Sequence, residues 1–175
     1  MNMQKVSWSV FILMLVFAVF FVIRTAPGLP ALVATHFNTA GYPNAFASRS
    51  GYTRFMLALG VLLPAAVVAL LTIVYSRADD FKLPNRDYWL APERIGATRA
   101  LLIVHGVWFG SLLVSMVCFV HWLVLGAHRK VPPQLSNPLA QAGLLVFFLI
   151  AAGWIVVLLL AFRRPRGESI SAKPP

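Results

Sequence analysis

The chain has 175 residues, of which 59% are hydrophobic and 11% charged, against roughly 45–50% and about 25% in soluble domains. That excludes an ordinary water-soluble domain. The net charge of +10 would suit nucleic acid in a polar chain, but here the bases flank apolar blocks, as in membrane proteins. No nucleic-acid partner is therefore expected, and the lone Cys118 excludes an intrachain disulfide.

The first apolar block covers 6–23, bracketed by Lys5 and Arg24, with Ser7 and Ser9 its only polar side chains. A cleaved signal would have an apolar run of about 7–15 residues and a small-residue site after it. This run is longer, and Ala31-Leu32-Val33-Ala34 is a poor site, so the block is read as a retained anchor.

The segment after it contains Leu29-Pro30, then Thr35-His36-Phe37-Asn38-Thr39-Ala40-Gly41-Tyr42-Pro43-Asn44. Its glycines, prolines and asparagines predict an ordered set of turns rather than a helix. Asn38 is placed to close an Asx-turn, and Gly41 to supply a positive φ.

The second block covers 55–75 and contains Gly60 and Pro64. A proline there is tolerated in a membrane helix with a mild kink. A polar connector, 76–99, follows, and the third block covers 100–125. Ala91-Pro92-Glu93 predicts an earlier start for that helix, since proline suits a first turn and an acid complements the dipole. The fourth block covers 140–162, and the tail, 163–175, reads as disordered. Each block is about the length that crosses a bilayer. The predicted fold is an all-α integral-membrane four-helix bundle forming one domain, 1–162.

Bases orient membrane chains. Lys5, Arg77, Lys82, Arg86, Arg94, Arg99, Arg163, Arg164, Arg166 and Lys173 fall on one side. Arg24, Arg49, Arg54, Arg129 and Lys130 fall on the other, in the loops 24–54 and 126–139. The richer side is read as cytoplasmic, with both termini inside a bacterial inner membrane. All five acids, Asp79, Asp80, Asp87, Glu93 and Glu168, lie on that same side. Trp8, Tyr52, Tyr75, Trp89 and Trp122 read as headgroup-level aromatics.

Leu29-Pro30, His36-Phe37-Asn38, Gly41, Pro43 and Asn44, in that order after a first span, resemble the domain-of-unknown-function 1648 family. The connector from Leu83-Pro84 to Glu93-Arg94 is similar to a segment of its short members. Two positions depart: Ala34-Thr35 stand where members often carry a proline, and Asn44 where they often carry an aspartate. The family is related to the N-terminal part of SdpI-like immunity and signalling proteins. The resemblance implies that topology, with His36, Phe37, Asn38, Gly41, Pro43 and Asn44 as a ligand- or partner-binding loop.

Intramembrane ionisable residues mark function by default. His105 and His121 share the third block, but 16 residues separate them by about 160° and about 24 Å, so they share no ligand. His121 and His128 lie on one face, near the level of His36. A metal- or quinone-dependent enzyme built on His36, His121 and His128 is one reading. Ordinary interhelical hydrogen bonding is the favoured one. No nucleophile–base arrangement, phosphate loop or paired cysteines appear, so no catalysis, metal or cofactor is expected.

Gly106 and Gly110 form a GxxxG pattern with Ser111 and Ser115 nearby, which predicts close helix packing. Gly143 and Gly153 are the expected counterparts in the fourth block, and a homodimer is the sharper alternative. Arg86, Asp87, Tyr88, Trp89, Glu93 and Arg94 form a candidate partner site in the connector, with local ion pairs. The leading expectation is a non-catalytic inner-membrane protein whose outer loop binds a ligand, peptide or partner. The alternative is an accessory subunit of a larger membrane complex.

Overall fold

A computed structural model describes residues 3–77 and 83–163. The expected disordered tail lies, from 164 onward, outside the described residues. Four helices are long and apolar enough to cross a membrane: Met3–Gly28, Arg49–Arg77, Ile95–Ala127 and Asn137–Ala161. The chain is a membrane protein with a helical fold.

Helix α1 (Met3–Thr25) runs into one 3-10 turn, Ala26–Gly28. Helices α2 (Arg49–Leu57) and α3 (Leu63–Arg77) are joined without a break by a π turn, Ala58–Leu62. That turn accounts for Pro64. Proline has no N–H to donate back to Gly60, and widening the preceding turn absorbs the mismatch. The Leu63 N–H bonds to Ala58 O, five residues back.

A short helix, α4 (Arg86–Trp89), precedes α5 (Ile95–Ala127) and α6 (Asn137–Ala161). The third helix starts later than Ala91-Pro92-Glu93 predicts. The N–H groups of Arg94 and Ile95 both reach Ala91 O, at 2.8 and 3.0 Å, which makes 91–94 a turn before the helix.

The segment expected to form only turns holds a two-stranded hairpin. β1 (Leu32–Phe37) pairs antiparallel with β2 (Pro43–Ser48). Leu32 stands opposite Ser48, Val33 opposite Ala47 and Ala34 opposite Phe46, with bulges beyond Ala34. Alternation was masked because the one large apolar residue of β2, Phe46, faces outward, and its inward positions are small.

Helix α5 is the axis of the molecule. Within its apolar window 44% of residues are buried, against none in α6. Three clusters stack along it. Val22, Leu29, Val33, Tyr52, Met56 and Val124 fill the hairpin end. Phe11, Ala18, Val68, Val107 and Val114 fill the middle. Leu102 and Phe162 fill the opposite end, with Tyr75, Trp89 and Leu90 against them. The helices α1, α2–α3 and α5 thus form a tight core, and α6 lies outside it along α5.

Gly106, Gly110 and Ser111 pack inside this core, while Ser115 lies toward the groove beside α6. A Cβ on Gly106 would meet Leu71 at 3.3 Å, and one on Gly110 would meet Val68 and Phe11. Ser111 is buried and donates to Val107 O at 3.2 Å, and Ser115 donates to Ser111 O at 3.0 Å. The expected counterparts in α6 do not meet Gly106 or Gly110. Gly143 lies against the ring of Phe119, and Gly153 has nothing within 4 Å. The chain's own α1 and α3 therefore occupy the face that bears Gly106 and Gly110.

At the opposite end, Asn85 Nδ2 and Trp89 Nε1 both donate to Phe162 O, at 3.1 and 2.9 Å. They satisfy a carbonyl left free where α6 ends. Thr98 Oγ1 donates to Trp89 O at 2.8 Å. Trp89 is thus a bolt between α5 and α6.

Gly110→Leu should lower stability by about 1–3 kcal/mol through overpacking, while Gly153→Leu should leave it unchanged. Thermal unfolding of both variants in detergent checks the contrast.

Candidate functional site at the hairpin end

The hairpin is held to the helices by two histidines of α5 and its flank. His121 is fully buried. Its Nε2 lies 2.7 Å from Thr25 Oγ1, and its Nδ1 lies 2.8 Å from Tyr52 OH. The hydrogen positions follow from the end of the chain of bonds. Thr25 Oγ1 is 2.6 Å from Phe21 O, and a carbonyl only accepts. The Thr25 hydroxyl therefore donates to Phe21 O and accepts from His121 Nε2–H. The His121 Nδ1 is then the bare nitrogen, and the Tyr52 hydroxyl donates to it. One directed relay joins α2, α5 and α1. The Phe21 ring packs edge-on to the imidazole at 5.1 Å between centroids.

His128 caps α5 and holds the opposite tautomer. Its Nδ1 lies 2.8 Å from Val124 O and donates to it. Its Nε2 accepts from the Ala34 N–H at 3.0 Å. This fixes the outer edge of β1 to the end of α5. The Arg49 guanidinium adds donors to Pro27 O and Leu29 O, at 2.8 and 3.1 Å.

The hairpin tip is built by Asn38 and Gly41. Asn38 Oδ1 accepts from the N–H groups of Ala40 and Tyr42, at 3.0 and 2.9 Å. Gly41 has φ of 82°, as its turn position predicts. It also packs against the loop between α5 and α6: Leu135 N–H donates to Gly41 O at 2.9 Å. A Cβ at residue 41 would lie 2.5 Å from Leu135 O. Asn137 Nδ2 donates to Thr39 O across the same contact.

The predicted loop residues therefore divide into two groups. Asn38, Gly41 and Pro43 build the hairpin, and Phe37 is half-buried beside its tip. His36 and Asn44 are exposed, and His36 makes only a 3.4 Å contact with Thr35. The structure does not bring His36 to His121 and His128, whose ring nitrogens all bond to protein groups. No group of three metal-ligating side chains stands together among the described residues.

Sequence reasoning missed Thr25 and Phe46, and placed Tyr52 at a lipid interface. Tyr52 is 3% exposed and turned inward to His121. The available signal was a polar Thr25 at the end of the first apolar block, facing the level of His121. Phe46 is 55% exposed, on the outward face with Asn44 and Ser48.

In the connector, Arg86, Asp87 and Glu93 are exposed, while Tyr88, Trp89 and Arg94 are partly buried. Arg94 stacks over the Tyr88 ring at 4.1 Å, a cation–π contact. His105 lies against Trp154 at 5.4 Å between rings, far from the hairpin end. A groove of about 380 Å³ between α5 and α6 is lined by Leu112, Ser115, Met116, Phe119, Gly143 and Phe147 among others. Its one hydroxyl already bonds to Ser111 O, so no polar groups converge there.

Residues 10–62 match the model of a family described as a domain of unknown function (DUF1648). The match runs from α1 through the hairpin to the π turn, and bears out the resemblance carried by Leu29-Pro30, His36-Phe37-Asn38 and Gly41. No curated protein and no solved structure is significantly similar to the chain.

A double-mutant cycle with Tyr52→Phe and His121→Phe should show a coupling of about 0.6–1.7 kcal/mol, the range seen for hydrogen bonds between membrane helices. Additive losses would disconnect the two side chains. Gly41→Ala should cost at least about 1–3 kcal/mol for the positive φ, with faster amide exchange at the hairpin tip and at Leu135, whose carbonyl the new Cβ would meet.

Proposed function

We propose that this is a non-catalytic, multi-pass protein of a bacterial inner membrane whose hairpin recognises a ligand or protein partner outside the cytoplasm. The observation that carries the reading is the division of the loop residues. His121 and His128 hold the hairpin rigidly, and Asn38 and Gly41 shape it. The side chains of His36, Asn44 and Phe46 are then left exposed. A preorganised loop loses little entropy on binding, and functional residues concentrate on loops positioned by rigid scaffolds.

Both termini lie in the cytoplasm in this reading, supported by the count of bases on the two sides. An immunity or sensing role like that of SdpI-like proteins would place the recognised molecule outside and a relay through α4 and its connector inside. An accessory role in a larger complex is the second reading. The exposed Arg86, Asp87 and Glu93 favour it, because they leave the connector a charged face. Stoichiometric co-purification of partners in mild detergent, abolished by changing those three, would favour that reading over the first.

The double variant His36→Ala/Asn44→Ala should keep the wild-type unfolding temperature and lose partner binding and cellular phenotype. An unchanged phenotype would reduce the loop to a structural element. For topology, Asn44→Cys in a Cys118→Ser background should react with a membrane-impermeant maleimide added outside intact cells. Labelling only after lysis would invert the orientation.

A further inference from the structure

The hairpin has one edge closed and one edge open. The Ala34 N–H points to His128, so β1 is closed by α5. Ala34 stands opposite Phe46. In an antiparallel pair, opposite residues either exchange both main-chain bonds or neither. Because the Ala34 N–H bonds outward, this pair exchanges neither. The N–H and C=O of Phe46 therefore point away from β1. The Arg49 N–H donates to Ala31 O at 2.9 Å, which fits the same alternation three residues on. Among the described residues the sheet has two strands, and none of them lies along the other side of β2.

Proteins usually blunt such an edge with lysine, proline or an inward charge. From Asn44 to Ser48 the edge has none: Asn44-Ala45-Phe46-Ala47-Ser48 is neutral. The Phe46 side chain stands exposed beside its outward-facing main chain. The hairpin end of the molecule carries one sign of charge. Arg24, Arg49, Arg54, Arg129 and Lys130 are all exposed, and the segments 24–54 and 126–139 contain no acid.

We infer that β2 accepts an extended acidic polypeptide segment as a third strand, through the main chain of Phe46, drawn by the basic hairpin end. This rests on the recognition reading above and specifies its ligand class. Strand addition supplies main-chain hydrogen bonds from the edge and side-chain pockets for specificity. The basic hairpin end steers and selects acidic segments. The Phe46 ring offers a flat apolar contact to alternate side chains of the added strand.

The test uses the full chain in phosphatidylcholine nanodiscs. The probe is a blocked, fluorescent peptide of about eight residues, within the usual strand length, that alternates valine with glutamate. Anisotropy should report saturable binding. Replacing glutamate by lysine should abolish it. N-methylation of alternate peptide amides should weaken it at least about tenfold, on the unaltered protein. Phe46→Pro, which deletes the outward N–H, should do the same while amide exchange at Ala34 stays slow. Equal binding of the N-methylated peptide would overturn strand addition and leave side-chain recognition by the hairpin intact. No binding of the acidic peptide overturns it too, as does a blue shift of Phe46→Trp emission only on phosphatidylglycerol vesicles, which would make this surface a lipid contact. The recognition reading itself stands or falls separately, on the phenotype of His36→Ala/Asn44→Ala.

Discussion

The buried imidazole of His121 joins three helices at the end of the bundle that carries the hairpin. In a hydrocarbon setting a polar ring with unsatisfied nitrogens is costly, so His121 must find one donor and one acceptor. Tyr52 and Thr25 provide them, and the Phe21 carbonyl sets the direction of the whole relay. Because each hydrogen has one destination, the arrangement of α1, α2 and α5 is specified and not merely packed. The hairpin grows from the ends of two of those helices, so its position depends on this relay.

His128 extends the same control from helix to strand. A free β-hairpin is marginal in water, and this one has few large residues on β2. It is ordered because its ends continue into α1 and α2, its β1 edge bonds to His128, and its tip bonds to the loop before α6. The two histidines hold opposite tautomers for the same reason: in each, a carbonyl fixes the direction of the bonds. Rigidity at these points leaves the face bearing Asn44 and Phe46, and the open edge beside it, presented to the surroundings.

The other end of the molecule is organised differently. Asn85 and Trp89 converge on one carbonyl, that of Phe162, and tie the connector to the end of α6. Helix α6 is otherwise a peripheral element, packed along α5 with none of its apolar window fully buried among the described residues. Glycines set the spacing of the core but not of α6: Gly110 brings α5 against Val68 and Phe11, whereas Gly153 touches nothing.

Some of this was legible in the residues alone. Four long apolar blocks determine four helices, because hydrocarbon leaves the backbone no other partner. Asn38 and Gly41 determine the tip, because an amide side chain and a missing Cβ act locally. Leu29-Pro30 and His36-Phe37-Asn38 were enough to indicate the family region. What required the tertiary structure is whatever depends on a distant partner. Tyr52 reads as an interfacial aromatic until His121, 69 residues away, turns it inward. The GxxxG face has no address in the sequence, and packing gave it to α1 and α3 in preference to α6. The strands were hidden because β2 owes its conformation to pairing and anchoring, not to its own weakly apolar pattern. The division between structural and free loop residues follows from the same contacts, since burial and hydrogen bonding at one position are decided by residues elsewhere in the chain.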